Sequence, residues 1–97
     1  MALKVSSRVA AKLVAKHSVS VEEIEQCFAT RRKGAKFLQD TREEHATDPP
    51  TLWFVSDTYH GRKLKVVFMK DGGDIILKTA YPANDMEIRI YNKYGLE

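Results

Sequence analysis

Ninety-seven residues with 43% hydrophobic and 30% charged side chains describe one folded domain: the chain is too short for a second core and too apolar for disorder. Sixteen Lys and Arg against 13 Asp and Glu leave a net charge of +3, compatible with an anionic partner without demonstrating one. No apolar run approaches the roughly 20 residues of a membrane-spanning helix, and no secretory-type segment opens the sequence. Cys27 is the sole cysteine, so a reducing cytoplasm is the expected compartment and a small core residue its expected role. His17, His45 and His60 stand far apart with no metal-type spacing, so neither a metal nor another cofactor is expected.

In chain order, Ser6 or Ser7 can cap a first helix reaching about His17, with Val9, Leu13 and His17 on one face. Ser20 opens a capping box with Glu23, and Val21, Ile24, Cys27 and Phe28 supply a second amphipathic helix that ends at Gly34. Residues 35–39 can form a short strand. Residues 40–50 are polar, end in two prolines and read as a loop. Residues 52–58 have the aromatic and β-branched density of a strand. Turns at 59–61 and 71–73 then bound strands over 63–69 and 74–80, a strong hairpin pattern. Asn84 caps a last helix over 85–94, with Glu87 at the box position and Gly95 after it. The expectation is an α+β domain: two N-terminal helices, an antiparallel sheet of three or four strands, and a C-terminal helix.

Cations cluster at Arg31, Arg32, Lys33 and Lys36, and again at Arg62, Lys63, Lys65 and Lys70; the first run also suits a helix C-terminus. Acids gather at Glu22, Glu23 and Glu25 and at Asp40, Glu43, Glu44 and Asp48. By residue type alone, Tyr81, Lys78 and His45 are candidates for proton transfer or phosphate contact. Trp53 and Phe54 fall on opposite strand faces, so one belongs to the core and the other is open to stacking on a base.

The segment Lys16-His17-Ser18-Val19-Ser20-Val21-Glu22-Glu23 runs on to Phe28. A second block passes from Gly61-Arg62 through Val66-Val67 to Thr79-Ala80, then Ala83, Glu87 and Tyr91. In this order the two blocks resemble the BrnT-type toxins, grouped with the RelE-like ribonuclease toxins of bacterial toxin–antitoxin systems. The chain departs from that pattern at Ser18, where the family has Gly, at Leu13 in place of Asn, and at Tyr81 in place of Arg.

The resemblance implies a RelE/BrnT-like fold over residues 1–97 and a toxin that cleaves messenger RNA without a metal, by driving a ribose 2′-hydroxyl onto the adjacent phosphate. It offers Arg62, Glu87, Arg89 and Tyr91 as the catalytic set; beside them, Tyr81 is added by residue type, and Lys63, Lys65, Lys78 and His45 are the candidate substrate contacts. The partners it implies are a cognate antitoxin and RNA, on the ribosome or free, with no membrane and self-association left open. Each residue has a plainer role: Arg62 as a solvated turn residue, Glu87 as a cap, Arg89 paired with Asp85, Tyr91 as packing, His17 as a core histidine. A noncatalytic protein-interaction module on the same scaffold is the second reading. An ADP-ribosyl-hydrolase-like activity using the acids of residues 40–48 is the third.

Overall fold

Local signals place the helices. The structure, a computed structural model, describes residues 2–31, 34–39 and 50–96; His45, Arg32, Lys33 and the acids at 40, 43, 44 and 48 lie outside the described residues. Ser6 Oγ accepts the Val9 amide at 3.1 Å and starts α1 (Ser7–Lys12). The predicted first helix does reach His17, but its last turn, Leu13–His17, is π-helical, with the Ser18 amide reaching back to the Leu13 carbonyl. Ser18 then leaves in the left-handed conformation, φ 52. In the capping box of α2 (Val21–Thr30), Ser20 Oγ accepts the Glu23 amide at 3.2 Å and Glu23 Oε1 accepts the Ser20 amide at 3.0 Å. Such a cap is worth about 1 kcal/mol. Asn84 and Glu87 repeat the motif at α3 (Asp85–Tyr94).

Among the described residues the sheet has five strands: β1 (Leu3–Lys4), β2 (Leu38–Gln39), β3 (Thr51–Asp57), β4 (Lys63–Asp71) and β5 (Asp74–Pro82), in the order β1-β5-β4-β3-β2. The β2, β3, β4 and β5 pairings are antiparallel as expected. The fifth strand, β1, is an addition to the expected sheet: it pairs parallel with β5 at residues 75 and 76. Two residues carry no alternation, so the sequence alone could not reveal it. Strand β5 runs two residues past the expected residue 80 and ends at Pro82, opposite Leu64. One register shift interrupts the β4–β5 ladder. Val67 pairs with Thr79 but Phe68 with Leu77, leaving Lys78 as the extra residue of a β-bulge.

Helices α1 and α2 cover one sheet face. Leu13, Val19, Ile24 and Cys27 pack there with Phe54, Leu64, Val66 and Phe68, each no more than 1% exposed. Phe28 and Phe37 meet Phe54 and Phe68 at steep interplanar angles of 53° to 80°, with ring centroids 4.8 to 5.7 Å apart. Burial pushes the Cys27 thiol up to about 12, and its Sγ rests 3.7 Å from the Ser56 carbonyl oxygen, as expected of a packing residue. Helix α3 crosses the opposite face over Trp53, whose ring lies 5.9 Å from that of Tyr91. Its far end is pinned by two bonds to Lys36: Tyr91 Oη donates to the Lys36 carbonyl and the Lys36 amide donates to the Gly95 carbonyl, both at 2.8 Å. A Cβ on Gly95 would run into the Tyr91 ring, so the chain needs glycine there for close approach.

Candidate functional site

The β4–β5 register sets Lys65 directly opposite Tyr81, on the face crossed by α3. Strand β5 ends at Pro82, and the turn into α3 brings Glu87 back over that pair. The two carboxylate oxygens of Glu87 then divide their work. Oε1 accepts the Asn84 amide at 3.1 Å, completing the helix cap. Oε2 accepts from Lys65 Nζ at 2.9 Å and from Tyr81 Oη at 3.0 Å. The Lys65 ammonium also lies 4.6 Å from the Trp53 ring centroid and 5.7 Å from that of Tyr81.

Lys65 and Glu87 side chains are 10% and 16% exposed. A pair so far removed from water persists because hydrogen bonds and ring faces satisfy it on all sides. Burial alone would raise the Glu87 pKa. The Asn84 amide, the Lys65 ammonium and the Tyr81 hydroxyl outweigh it and hold the carboxyl below its ordinary range. The result is a charged carboxylate sharing one oxygen between an ammonium and a phenol, at the rim of the sheet. Such a group can take a proton, give one through the phenol, and offset negative charge through the ammonium.

His17 joins this cluster. Its ring centroid is 5.6 Å from that of Tyr81, and the ring is only half-buried. The apolar-face spacing of the first helix suggests a core histidine, but the π-helical turn rotates the residue toward Tyr81. The signal that marks it is the Lys16-His17 block, not the periodicity.

Arg62 is held elsewhere. Its Nη2 donates to the His17 carbonyl and its Nη1 to the Ser18 carbonyl, both at 2.7 Å, while Nη1 also meets Glu23 Oε2 at 3.2 Å. The guanidinium thus clamps the π-helical turn to the cap of α2. Tyr91 is 3% exposed, bonded to Lys36, and burial raises its pKa. Arg89 is exposed on the outer side of α3 and makes no ion pair with Asp85. Lys63 pairs with Asp57 at 2.9 Å. Lys78 lines a cleft with Lys12, Lys16 and His17. Among the described residues, the structure therefore brings Glu87, Tyr81 and Lys65 together with His17 and Trp53, and leaves Arg62, Tyr91, Arg89 and Lys63 in other surroundings.

Helices on both faces of a mostly antiparallel sheet, with a Lys–Tyr–Glu cluster under the first turn of the last helix, define the class as a small α+β domain carrying an ionised site at one strand end. No protein-family model matches the sequence, and no curated protein matches it. Among solved structures, the crystal structure of the Brucella abortus ribonuclease toxin, BrnT, is similar at a TM-score of 0.58 and 16% identity, covering 88% of this chain and 99% of that one. The chain has a BrnT-like fold. Among the described residues, no helix is long and apolar enough to cross a membrane.

Proposed function

We propose that this protein is the toxin component of a toxin–antitoxin pair and cleaves messenger RNA in the cytoplasm by metal-independent phosphoryl transfer. The Lys65–Tyr81–Glu87 cluster, on a fold shared with a ribonuclease toxin, is the observation that carries this reading. The ribose 2′-hydroxyl passes its proton to the Glu87 carboxylate as its oxygen bonds to the adjacent phosphorus. The bond from phosphorus to the 5′-oxygen breaks, and that oxygen takes the Tyr81 hydroxyl proton. Lys65 offsets the charge growing on the phosphorane oxygens. The 3.0 Å hydrogen bond between Tyr81 and Glu87 then returns the proton to the phenol, leaving a 2′,3′-cyclic phosphate and a free 5′-hydroxyl. In this reading Arg62 and Tyr91 are positioning residues, while Lys63 and Arg89 contact RNA phosphates.

Purified protein incubated with labelled RNA tests the assignment. Tyr81→Phe keeps the ring and should lower the cleavage rate about 100-fold, the usual contribution of a positioned proton donor. Glu87→Gln preserves a capping box, which accepts Gln, and should abolish cleavage. Full-rate cleavage by both folded variants would move the chemistry away from this cluster. A second reading, a noncatalytic interaction module, is favoured by Met86, Ile90 and Tyr94, which are 70%, 39% and 57% exposed along one stripe of α3. Harmless expression with stable cellular RNA would put that reading first.

A further inference from the structure

Two backbone irregularities face each other across one cleft. The first is the π-helical turn Leu13–His17; the second is the β-bulge that sets Lys78 out of the β5 ladder. Between them lies a cleft of about 220 Å³ lined by Val9, Lys12, Leu13, Lys16, His17, Lys78 and Thr79. Strand β1 pairs with β5 only at residues 75 and 76, so beyond them the π-helical turn, not a strand, packs along this edge. Both kinds of irregularity are uncommon, and both recur where a side chain must be aimed at a ligand.

The charge in this cleft is one-sided. Elsewhere Lys4, Lys63 and Lys65 pair with Asp74, Asp57 and Glu87. Lys12, Lys16 and Lys78 are exposed and form no ion pair among the described residues. The acids Glu22 and Glu25 line a different surface, beside Gln26 and Tyr59. Three unpaired ammoniums around a concave surface repel one another and concentrate positive potential at its mouth. A bound polyanion relieves that repulsion, and Thr79 adds a neutral hydroxyl donor.

The cleft also opens toward the reacting cluster. His17 lines it and lies against the Tyr81 ring, and Thr79 sits two residues before Tyr81 on β5. We propose that Lys12, Lys16, Lys78 and Thr79 form a phosphate subsite that grips the backbone of single-stranded RNA beside the cleaved linkage. The assignment rests on the RNA reading above and adds a binding surface to it. Three dispersed ammoniums on flexible stems suit consecutive phosphates rather than base edges, so binding here is indifferent to base sequence.

The test measures binding of the purified protein to a short single-stranded RNA carrying 2′-O-methyl riboses, which cannot be cleaved through the 2′-hydroxyl. In the Lys12→Gln, Lys16→Gln, Lys78→Gln triple variant, binding should weaken at least about tenfold at low salt. The slope of log affinity against log salt should become shallower by about 2, since each lost phosphate contact removes about 0.7. A control triple variant, Lys36→Gln, Lys70→Gln and Lys93→Gln, has the same net charge and should keep the slope. Equal losses in both triples, or none in the cleft triple, overturn the subsite. So does a cleft triple that loses polyglutamate binding while keeping RNA, which would make the cleft a protein-docking surface. Cleft-dependent binding with no cleavage by the wild-type protein defeats the catalytic reading alone, whereas cleavage with cleft-independent binding defeats the subsite alone.

Discussion

Ser18 carries a strained residue-level choice. Its φ of 52 lies in the left-handed region, which disfavours any residue with a Cβ by about 1–2 kcal/mol, although its carbonyl is held by Arg62. Glycine adopts that conformation freely but loses more chain entropy on folding, about 0.4–1 kcal/mol. Ser18→Gly should therefore stabilise the protein by about 0.5–1 kcal/mol, read as a rise of a few degrees in Tm; an unchanged or lower Tm would show that the serine side chain contributes something glycine lacks. Glu87 poses a different residue-level problem, because one side chain closes a helix cap and holds two partners of the candidate site. Its capping role is readable from the Asn84–Glu87 spacing. Its bond to Lys65 is not, since that depends on a strand register and on the turn at Pro82.

At the scale of elements, Arg62 joins pieces that are distant in sequence. From the turn between β3 and β4 it holds the end of the π-helical turn and the cap of α2. Hydrogen bonds to a charged group are worth about 1.5–3 kcal/mol, so Arg62→Ala should lower the urea midpoint by an amount equivalent to about 2 kcal/mol. Arg62→Lys keeps the charge without the fork and should fall between the two; equal midpoints for all three proteins would remove the clamp from the account. This clamp is also why a residue that reads as a solvated turn cation has a structural role. Helices α2 and α3 and strands β3, β4 and β5 are legible because capping boxes, Gly turns and alternation are local signals. The π-helical turn, the bulge at Lys78 and the two-residue β1 leave no periodic trace, since each exists only where other elements meet. Lys65 is the instructive case. Charge and alternation mark it as a surface lysine, yet the face it occupies is covered by α3.

Across the whole molecule, acid should act through two half-buried caps. In Glu23 and Glu87 burial pushes the carboxyl pKa up, but hydrogen bonds from Ser20 and Arg62, and from Asn84, Lys65 and Tyr81, bring both below the ordinary value of 4.5. A carboxyl depressed on folding contributes stability that is fully present above its unfolded pKa and is lost as pH falls through the folded one. The urea midpoint should therefore hold steady down to about pH 4.5 and decline below it. The Glu23→Gln, Glu87→Gln double variant should start lower and flatten; parallel pH profiles would assign acid sensitivity to other groups. The parallel pairing of β1 with β5 has a consequence in time. A chain made from its N-terminus exposes residues 3 and 4 long before residues 75 and 76, and α3 emerges after every strand. On the ribosome, β1 waits for its neighbour until residues 75 and 76 are clear, and Lys65 stays without its carboxylate until Glu87 follows, so the Lys65–Tyr81–Glu87 cluster forms only after all five of these strands have been made.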